Sequence, residues 1–139
     1  MSEGENLFGQ EHVERYRETD GAVGHIWKRG VKTLLLTTKG RKTGRETTTP
    51  LIYERSGSDY VIVASKGGAP QHPGWYRNLA RDPEVEVQVK DMIFPARART
   101  AEGDERERLW KLVTRQWPDY DAYQTRTERE IPVVVLERG

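Results

Sequence analysis

Residues 84–90 alternate between valine and polar side chains, and this pattern constrains the fold more than any other feature of the sequence. Val85, Val87 and Val89 are separated by glutamate and glutamine, so one side of the segment is apolar and the other is polar. A period of two residues does not suit a helix and is typical of a strand with one buried face and one face in water. The chain is therefore predicted to build its core around an antiparallel sheet.

Other short apolar segments predict further strands on both sides of this one. They are bounded by turns or prolines and comprise residues 33–38, 47–53, 60–64, 94–100 and 132–136. Amphipathic patterns predict helices over 73–79 and 102–117, whereas the weak pattern over 5–18 leaves residues 1–25 open between a helix and a partly disordered segment. Because tight turns join the strands, we expect a mainly β, α+β fold with about six antiparallel strands and two or three flanking helices.

Composition excludes several classes of protein. The 139 residues suit one domain, and the absence of cysteine excludes disulfides, thiolate-bound metals and a thiol nucleophile. The three histidines lie far apart without ligand spacing, so no metal site is expected. A formal net charge of +1 argues against a nucleic-acid partner. The N-terminus is acidic and no run approaches the roughly 18 apolar residues of a membrane span, so we expect a soluble, cytoplasmic protein.

Charge is nevertheless distributed unevenly along the chain. Residues 27–49 carry seven basic side chains and one acidic side chain, whereas residues 1–20 carry six acidic and two basic side chains. Charged segments are usually solvated surface. The basic segment also surrounds the apolar residues 34–36, so its charges flank a buried strand.

The turn between the first two predicted strands is the first candidate binding site. Its sequence GRKTG at 40–44 does not match a P-loop, because three residues rather than four separate the glycines and a strand follows. The two glycines can nevertheless turn backbone N–H groups toward an anion such as phosphate, beside Arg41, Lys42 and Arg45. From local chemistry alone, a phosphate cradle and a solvated hairpin are equally supported.

Three other segments carry polar or aromatic groups with two interpretations each. In ASKGGA at 64–69, small residues permit close approach of a flat ligand, although an ordinary loop is the simpler interpretation. In HPGWYRNL at 72–79, Trp75 and Tyr76 are more often core residues than ligand contacts. The late cluster of Trp117, Tyr120 and Tyr123 either packs against the sheet or forms one wall of an apolar pocket.

Taken in order, these segments resemble a known family. The deazaflavin (F420)-dependent nitroreductases and quinone reductases are similar to this chain over residues 28–137. The similarity is carried by residues 35–44 (LLTTKGRKTG), 49–51 (TPL), 63–69 (VASKGGA), 73–79 (PGWYRNL), 82–83 (DP), 120–124 (YDAYQ) and 131–134 (IPVV). Each motif alone is weak, but their succession is specific.

The resemblance implies a fold, a cofactor and a set of site residues. The fold is a split β-barrel over 28–137, within a single domain of residues 1–139, and the cofactor is coenzyme F420. The resemblance implies that Tyr120 and Tyr123 line the acceptor pocket. The expected catalytic residues are Ser65, Tyr120 and Tyr123, because their hydroxyls can hydrogen-bond an acceptor oxygen that gains negative charge. Carried over position by position, the residues that bind the cofactor are Arg41, Lys42, Thr43, Arg45, Pro50, Leu51, Ala64, Ser65, Lys66, Gly67, Trp75 and Asn78.

The expected reaction is hydride transfer from reduced F420 to a small electron acceptor, either quinone-like or nitroaromatic. Reduced deazaflavin needs no acid–base dyad on the protein, which agrees with the absence of an obvious triad. The sequence departs from some family members at Thr47, where a basic residue often stands, and at Ile52, where an aromatic residue can stand. The first departure affects a phosphate or tail contact that Arg45 could replace, and the second affects acceptor preference.

Two other functions remain open at this stage. A non-catalytic F420 carrier would have the same binding residues without turnover, and related split barrels bind FMN. The basic stretch from Lys28 to Arg45 favours the deazaflavin, because its oligoglutamate tail is acidic. The sequence leaves open the physiological acceptor, a monomer or a homodimer, and whether the protein contacts a membrane surface peripherally.

Overall fold

A computed structural model describes residues 7–138 and shows seven strands and four α-helices in this part of the chain. The strands are β1 Thr33–Lys39, β2 Glu46–Ile52, β3 Glu54–Ser56, β4 Asp59–Val63, β5 Glu84–Val89, β6 Met92–Thr100 and β7 Val133–Arg138. The helices are α1 Gly9–Glu18, α2 Gly74–Arg81, α3 Gly103–Gln116 and α4 Asp119–Thr125. Among these residues, no helix combines the length and the hydropathy needed to cross a bilayer.

All seven strands belong to one sheet, in the order β2-β1-β5-β6-β7-β4-β3. Every neighbouring pair is antiparallel, and β1 places Leu36 opposite Thr49 of β2 and Val87 of β5. The sheet is strongly curved: β2, at one edge, contacts β4, which lies next to the opposite edge. The expected antiparallel split barrel is confirmed by this curved sheet.

The inside of the curved sheet holds the main core. Alternate residues of β1, β4, β5, β6 and β7 point inward and are almost fully buried, as the period of two predicts. They form one cluster that includes Leu34, Leu36, Tyr60, Ile62, Val85, Val87, Val89, Phe94, Ala96, Ala98, Val134 and Leu136. Helix α2 adds Trp75 and Leu79 to the same cluster.

Helices cover the outer side of the sheet at two places. Leu109 and Val113 of α3 pack with Val61 and Val135 on the outer face of β4 and β7. Helix α1 places Val13 and Tyr16 on Leu35 of β1. These helices explain why β1, β4 and β7 read as continuous apolar runs, since both faces of each strand are buried.

The structure differs from the sequence prediction in the number of elements. There are seven strands instead of about six, because the three polar residues of β3 pair with β4 across the turn at Gly57. There are four α-helices instead of two or three. Strand β5 also has a less exposed outer face than predicted, because Gln88 is buried and donates a hydrogen bond to the carbonyl oxygen of Lys90.

Candidate active site

A mainly apolar cavity lies between β2, the segment after β4, helix α4 and the start of α1. Its volume is about 340 Å³. It is lined by Leu7, Phe8, Gly9, His12, Trp27, Thr33, Thr49, Pro50, Leu51, Ile52, Val63, Ser65, Gly67, Trp117, Tyr120 and Tyr123. None of these side chains is an aspartate, glutamate, lysine or arginine, so the cavity suits an uncharged aromatic or apolar molecule.

Six of the residues predicted for the site meet in this cavity. Pro50 and Leu51 come from β2, Ser65 and Gly67 from loop 64–69, and two tyrosines, Tyr120 and Tyr123, from α4. Loop 64–69 turns sharply away from the sheet because consecutive residues adopt left-handed backbone conformations. Gly67 and Gly68 have φ values of 64° and 83°, which only glycine adopts without strain.

Aromatic rings form the wall of the cavity opposite the sheet. Trp27 stacks on Trp117 with the ring centroids 6.0 Å apart, and Tyr120 contacts Tyr123 edge to face. The indole N–H of Trp117 donates to the hydroxyl oxygen of Tyr123 at 3.3 Å. Because an indole N–H only donates, the Tyr123 hydroxyl keeps its own hydrogen for another acceptor. Burial raises the pKa of Tyr120, so its hydroxyl stays protonated near neutral pH.

The start of α1 closes the cavity on its remaining side. His12 of this helix is buried and its Nε2 is 2.8 Å from the carbonyl oxygen of Gly24, which requires the Nε2–H tautomer. Thr33 donates to the same carbonyl. Burial lowers the pKa of His12 below its ordinary value, so the imidazole is neutral. Within residues 7–138, no cluster of three or more histidine, aspartate or glutamate side chains forms a metal site.

The β1–β2 turn, residues 40–45, lies at a second concavity of about 290 Å³. The guanidinium of Arg41 donates to the side-chain oxygen of Asn78 at 2.9 Å, and the Arg41 amide donates to the same oxygen at 3.2 Å. Asn78 in turn donates to the Thr38 hydroxyl. Two residues predicted to bind the cofactor, Arg41 and Asn78, are thus brought together and preorganised by α2.

Hydrogen bonds within the turn leave a small part of its backbone accessible. The amides of Gly40, Gly44 and Arg45 donate to partners inside the turn. In the part of the chain that the structure describes, no such bond engages the amides of Lys42 and Thr43. Lys42, Thr43 and Arg45 have exposed side chains. The turn therefore presents two amides and a basic surface to solvent, which are suitable groups for an anion.

Six predicted cofactor residues line neither cavity: Lys42, Thr43 and Arg45, which are exposed on the β1–β2 turn, and Ala64, Lys66 and Trp75. Trp75 is buried in the barrel core, and Ala64 is fully buried with its amide donating to the carbonyl oxygen of Pro132. Lys66 is exposed. Their assignment to the cofactor stays a prediction.

Sequence reasoning missed several residues that line the cavity. Trp27 is the first residue of the basic segment, and His12 lies on a weakly amphipathic helix, so no local pattern indicated either one. Thr49 was part of a motif but was not assigned a role. Trp117 was noted only as a member of an aromatic cluster. Apart from the aromatic cluster that contains Trp117, no local signal in the sequence indicated these residues.

Fold and site together define the class of protein. A curved antiparallel sheet, a glycine-containing basic turn and a neutral aromatic cavity are features of a split β-barrel that binds a flat, anionic cofactor. The model of the F420H(2)-dependent quinone reductase family matches residues 8–138. The chain belongs to this family.

Individual relatives agree with this membership. An F420H(2)-dependent quinone reductase of Mycobacterium tuberculosis strain H37Rv is 45% identical over 130 residues, which are 91% of this chain and 87% of the relative. A solved F420-H2-dependent reductase, FDR-A, is 45% identical with a TM-score of 0.70, covering 76% of this chain and 93% of that chain. A solved domain-swapped dimer is 43% identical with a TM-score of 0.73, and the match covers 92% of this chain and 96% of that chain.

Proposed function

We propose that this protein is an oxidoreductase that binds coenzyme F420 and transfers hydride from its reduced form to a quinone-like acceptor. The observation that carries the proposal is the neutral aromatic cavity between loop 64–69 and α4. Two groups of residues line this cavity together. Pro50 and Leu51 are expected to contact the cofactor ring, and the hydroxyls of Tyr120 and Tyr123 are suited to an acceptor. Membership of the quinone reductase family supports the same reaction.

The residues present are chemically suited to F420. Pro50, Leu51 and loop 64–69 would hold the flat ring and the ribityl chain, because they offer small or apolar side chains at one cavity wall. Residues 41–43 would hold the phosphate through two amides and two cations. Arg45 would pair with the acidic tail. In this assignment Asn78 acts by orienting Arg41.

Bound in this way, reduced F420 supplies a hydride, and the chain's own residues provide orientation and electrostatic stabilisation. Trp27 and Trp117 exclude water from the cavity through their stacked rings. The hydroxyls of Ser65, Tyr120 and Tyr123 can donate hydrogen bonds to an acceptor oxygen that gains negative charge. An additional acid–base pair on the protein is not required, because the cofactor itself supplies the reactive hydride.

The two departures from the family pattern have different consequences in the structure. Ile52 lines the cavity, so its size and shape act directly on the acceptor. The Thr47 hydroxyl pairs with that of Thr38 across the β1–β2 ladder, so it is used within the sheet. We therefore assign acceptor preference, including any reduction of nitroaromatic compounds, to the surroundings of Ile52.

The test combines binding with turnover. Fluorescence titration with F420 and with FMN should show tight binding of F420 and much weaker binding of FMN. Steady-state oxidation of reduced F420 is then followed with menadione and with a nitroaromatic compound. Preference for FMN would overturn the cofactor assignment, whereas tight F420 binding without turnover would identify a carrier.

Oligomeric state and cellular location belong to the same proposal. The domain-swapped relative favours a homodimer, which light scattering of the purified protein would detect. We place the enzyme in the cytoplasm, with peripheral membrane contact as an outcome that fractionation of the native host would reveal.

A further inference from the structure

Arg129 is a charged side chain whose contacts the proposed reaction does not use. It lies between α4 and β7 and reaches back across 60 or more residues of sequence to the segment after β4. Its Nε donates to the carbonyl oxygen of Ala69 at 2.8 Å, and its Nη2 donates to that of Ser65 at 2.8 Å. Its Nη1 lies 3.2 Å from the carbonyl oxygen of Ala64 and 3.0 Å from His72 Nδ1.

The partners of Arg129 are unusual for an arginine in a half-buried position. Within residues 7–138, no carboxylate lies at ion-pair distance from its guanidinium. Desolvation lowers the pKa of Arg129 from its ordinary value, although an arginine remains charged at neutral pH. A planar fork of N–H donors can satisfy several diverging carbonyl groups at once, which a lysine ammonium cannot do with the same geometry. The side chain therefore holds backbone rather than neutralising an acid.

The backbone of Arg129 is itself attached to α4. The side-chain amide of Gln124 donates to the carbonyl oxygen of Arg129 at 2.8 Å and accepts from the amide of Ile131 at 2.9 Å. Gln124 follows Tyr123 directly on the helix. The chain of contacts thus runs from the helix that carries the acceptor-facing tyrosines, through Gln124 and Arg129, to loop 64–69.

A close backbone approach joins the same two elements independently. A Cβ atom added to Gly68 would lie 2.5 Å from the carbonyl oxygen of Tyr123. Loop 64–69 therefore contacts the end of α4 without space for a side chain. This contact limits how near the loop can come, and Arg129 limits how far it can move away.

We propose that Arg129 is a positioning residue that sets the distance between loop 64–69 and α4, and so between the hydride donor and the acceptor. The inference rests on the proposed function, because it takes the loop as the cofactor side and α4 as the acceptor side. Misplacement of reacting groups by about 1 Å can lower a rate by about 100-fold. The guanidinium would therefore affect the hydride-transfer rate without contacting the cofactor or the acceptor.

The first experiment uses the cofactor-free protein and does not depend on F420. Hydrogen exchange is measured in the wild type, in Arg129→Met, in Arg129→Lys and in the control Arg126→Met. Arg126 is exposed, donates one hydrogen bond of 3.3 Å to the Gly67 carbonyl oxygen, and has its guanidinium 5.4 Å from the centre of the Tyr123 ring, so it contacts the same loop and helix less extensively. We expect exchange of residues 64–69 to be at least 10-fold faster in both Arg129 variants, with the β5–β6 hairpin unchanged. Exchange of residues 64–69 at the wild-type rate in the folded Arg129 variants would overturn the proposal.

The second experiment measures function in the same proteins. Arg129→Lys should raise the F420 dissociation constant and lower kcat with menadione, each at least 10-fold, with KM for menadione within twofold. A merely structural role would lower kcat only in proportion to the folded fraction and leave F420 affinity unchanged, which would overturn the proposal. If Arg129→Met does not fold, the measurements on Arg129→Lys, which keeps the positive charge, test the proposal. Wild-type protein that neither binds nor oxidises reduced F420 would refute the proposed function, while the exchange experiment still tests the link between loop and helix.

Discussion

At the scale of single residues, hydrogen-bond direction distinguishes the two tyrosines of α4. Tyr123 is half-buried and its hydroxyl oxygen already accepts from the Trp117 indole, which leaves its hydrogen available. Tyr120 is almost fully buried among the residues that pack between α3 and β7, so its ring also contributes to stability. Removing the Tyr120 ring would therefore combine loss of a cavity wall with loss of core packing.

Tyr123→Phe removes the available donor with little change of volume. If that hydroxyl stabilises charge on the acceptor oxygen, kcat with menadione should fall by about 10- to 150-fold, as for loss of a hydrogen bond to a charged group. F420 affinity should stay within twofold of the wild type. Tyr76→Phe is the matched control, because the Tyr76 hydroxyl bonds to Thr100 outside the cavity. Equal kcat in both variants would remove Tyr123 from the catalytic residues.

Lys42→Ala tests the phosphate site at the β1–β2 turn. Loss of one charge-assisted hydrogen bond should weaken F420 binding by about 10- to 150-fold, and the loss should shrink as salt screens the wild-type contact. Folding should be unaffected because the side chain is exposed. Lys111→Ala, on the surface of α3, controls for a change of net charge. Fluorescence titration at low and high salt gives the measurement, and unchanged affinity at low salt would contradict the cradle.

At the scale of elements, the site depends on two connections that are each attached to a neighbouring helix. The β1–β2 turn is attached to α2 through Arg41 and Asn78. Loop 64–69 is attached to α4 through backbone contact at Gly68. Both connections carry glycine in left-handed conformations, because a side chain would strain the backbone or collide with a neighbour.

Gly68→Ala should destabilise the protein more than Gly67→Ala. Both glycines have positive φ, so each substitution carries left-handed strain of about 1–2 kcal/mol. An added Cβ at Gly67 meets no atom within 4 Å, whereas one at Gly68 would overlap the Tyr123 carbonyl oxygen. Urea unfolding of both variants measures the difference in free energy of unfolding. Equal stabilities would show that the loop moves away from α4 without cost.

At the scale of the whole molecule, three histidines, of which His12 and His25 are buried, connect α1, the β1 region and the loop after β4. His12 donates to Gly24, His25 bonds to the Tyr53 hydroxyl, and His72 accepts from Arg129. Desolvation is the first cause of a lowered pKa at each histidine. The folded protein therefore favours the neutral form of all three.

Stability should consequently fall as the pH drops below about 6.5. In this range the unfolded chain binds more protons than the folded protein, so acid favours unfolding until the folded-state pKa values are reached. The buried pair His12 and His25 can each contribute up to about 1.4 kcal/mol per pH unit. Thermal melting between pH 7 and pH 5.5 tests this, and His12→Gln should reduce the slope. A wild-type melting temperature that does not change over this pH range would contradict the expected loss of stability.

The sequence alone determined six of the seven strands that residues 7–138 form, and the order of the motifs. Strand β5 was predicted from its period of two, which shows that one face is buried. The run 33–38 was predicted from continuous apolar residues, which show that both faces are buried, and it lies within β1. Strand β3 was missed because three polar residues carry no such period. Pairs such as Arg41 with Asn78 were named separately, but no local signal joined them.

Only the tertiary structure decided which distant residues share a site. Trp27 and Trp117 are 90 positions apart in sequence and stack because the chain returns across the same face of the sheet. Arg129 contacts loop 64–69 for the same reason. Local periodicity reports burial of a face but not its partner, since packing depends on where the curved sheet brings its helices and loops. The sequence therefore determined the family and the strands that have a regular hydrophobic pattern, and the fold decided the cavity and the contacts that hold it.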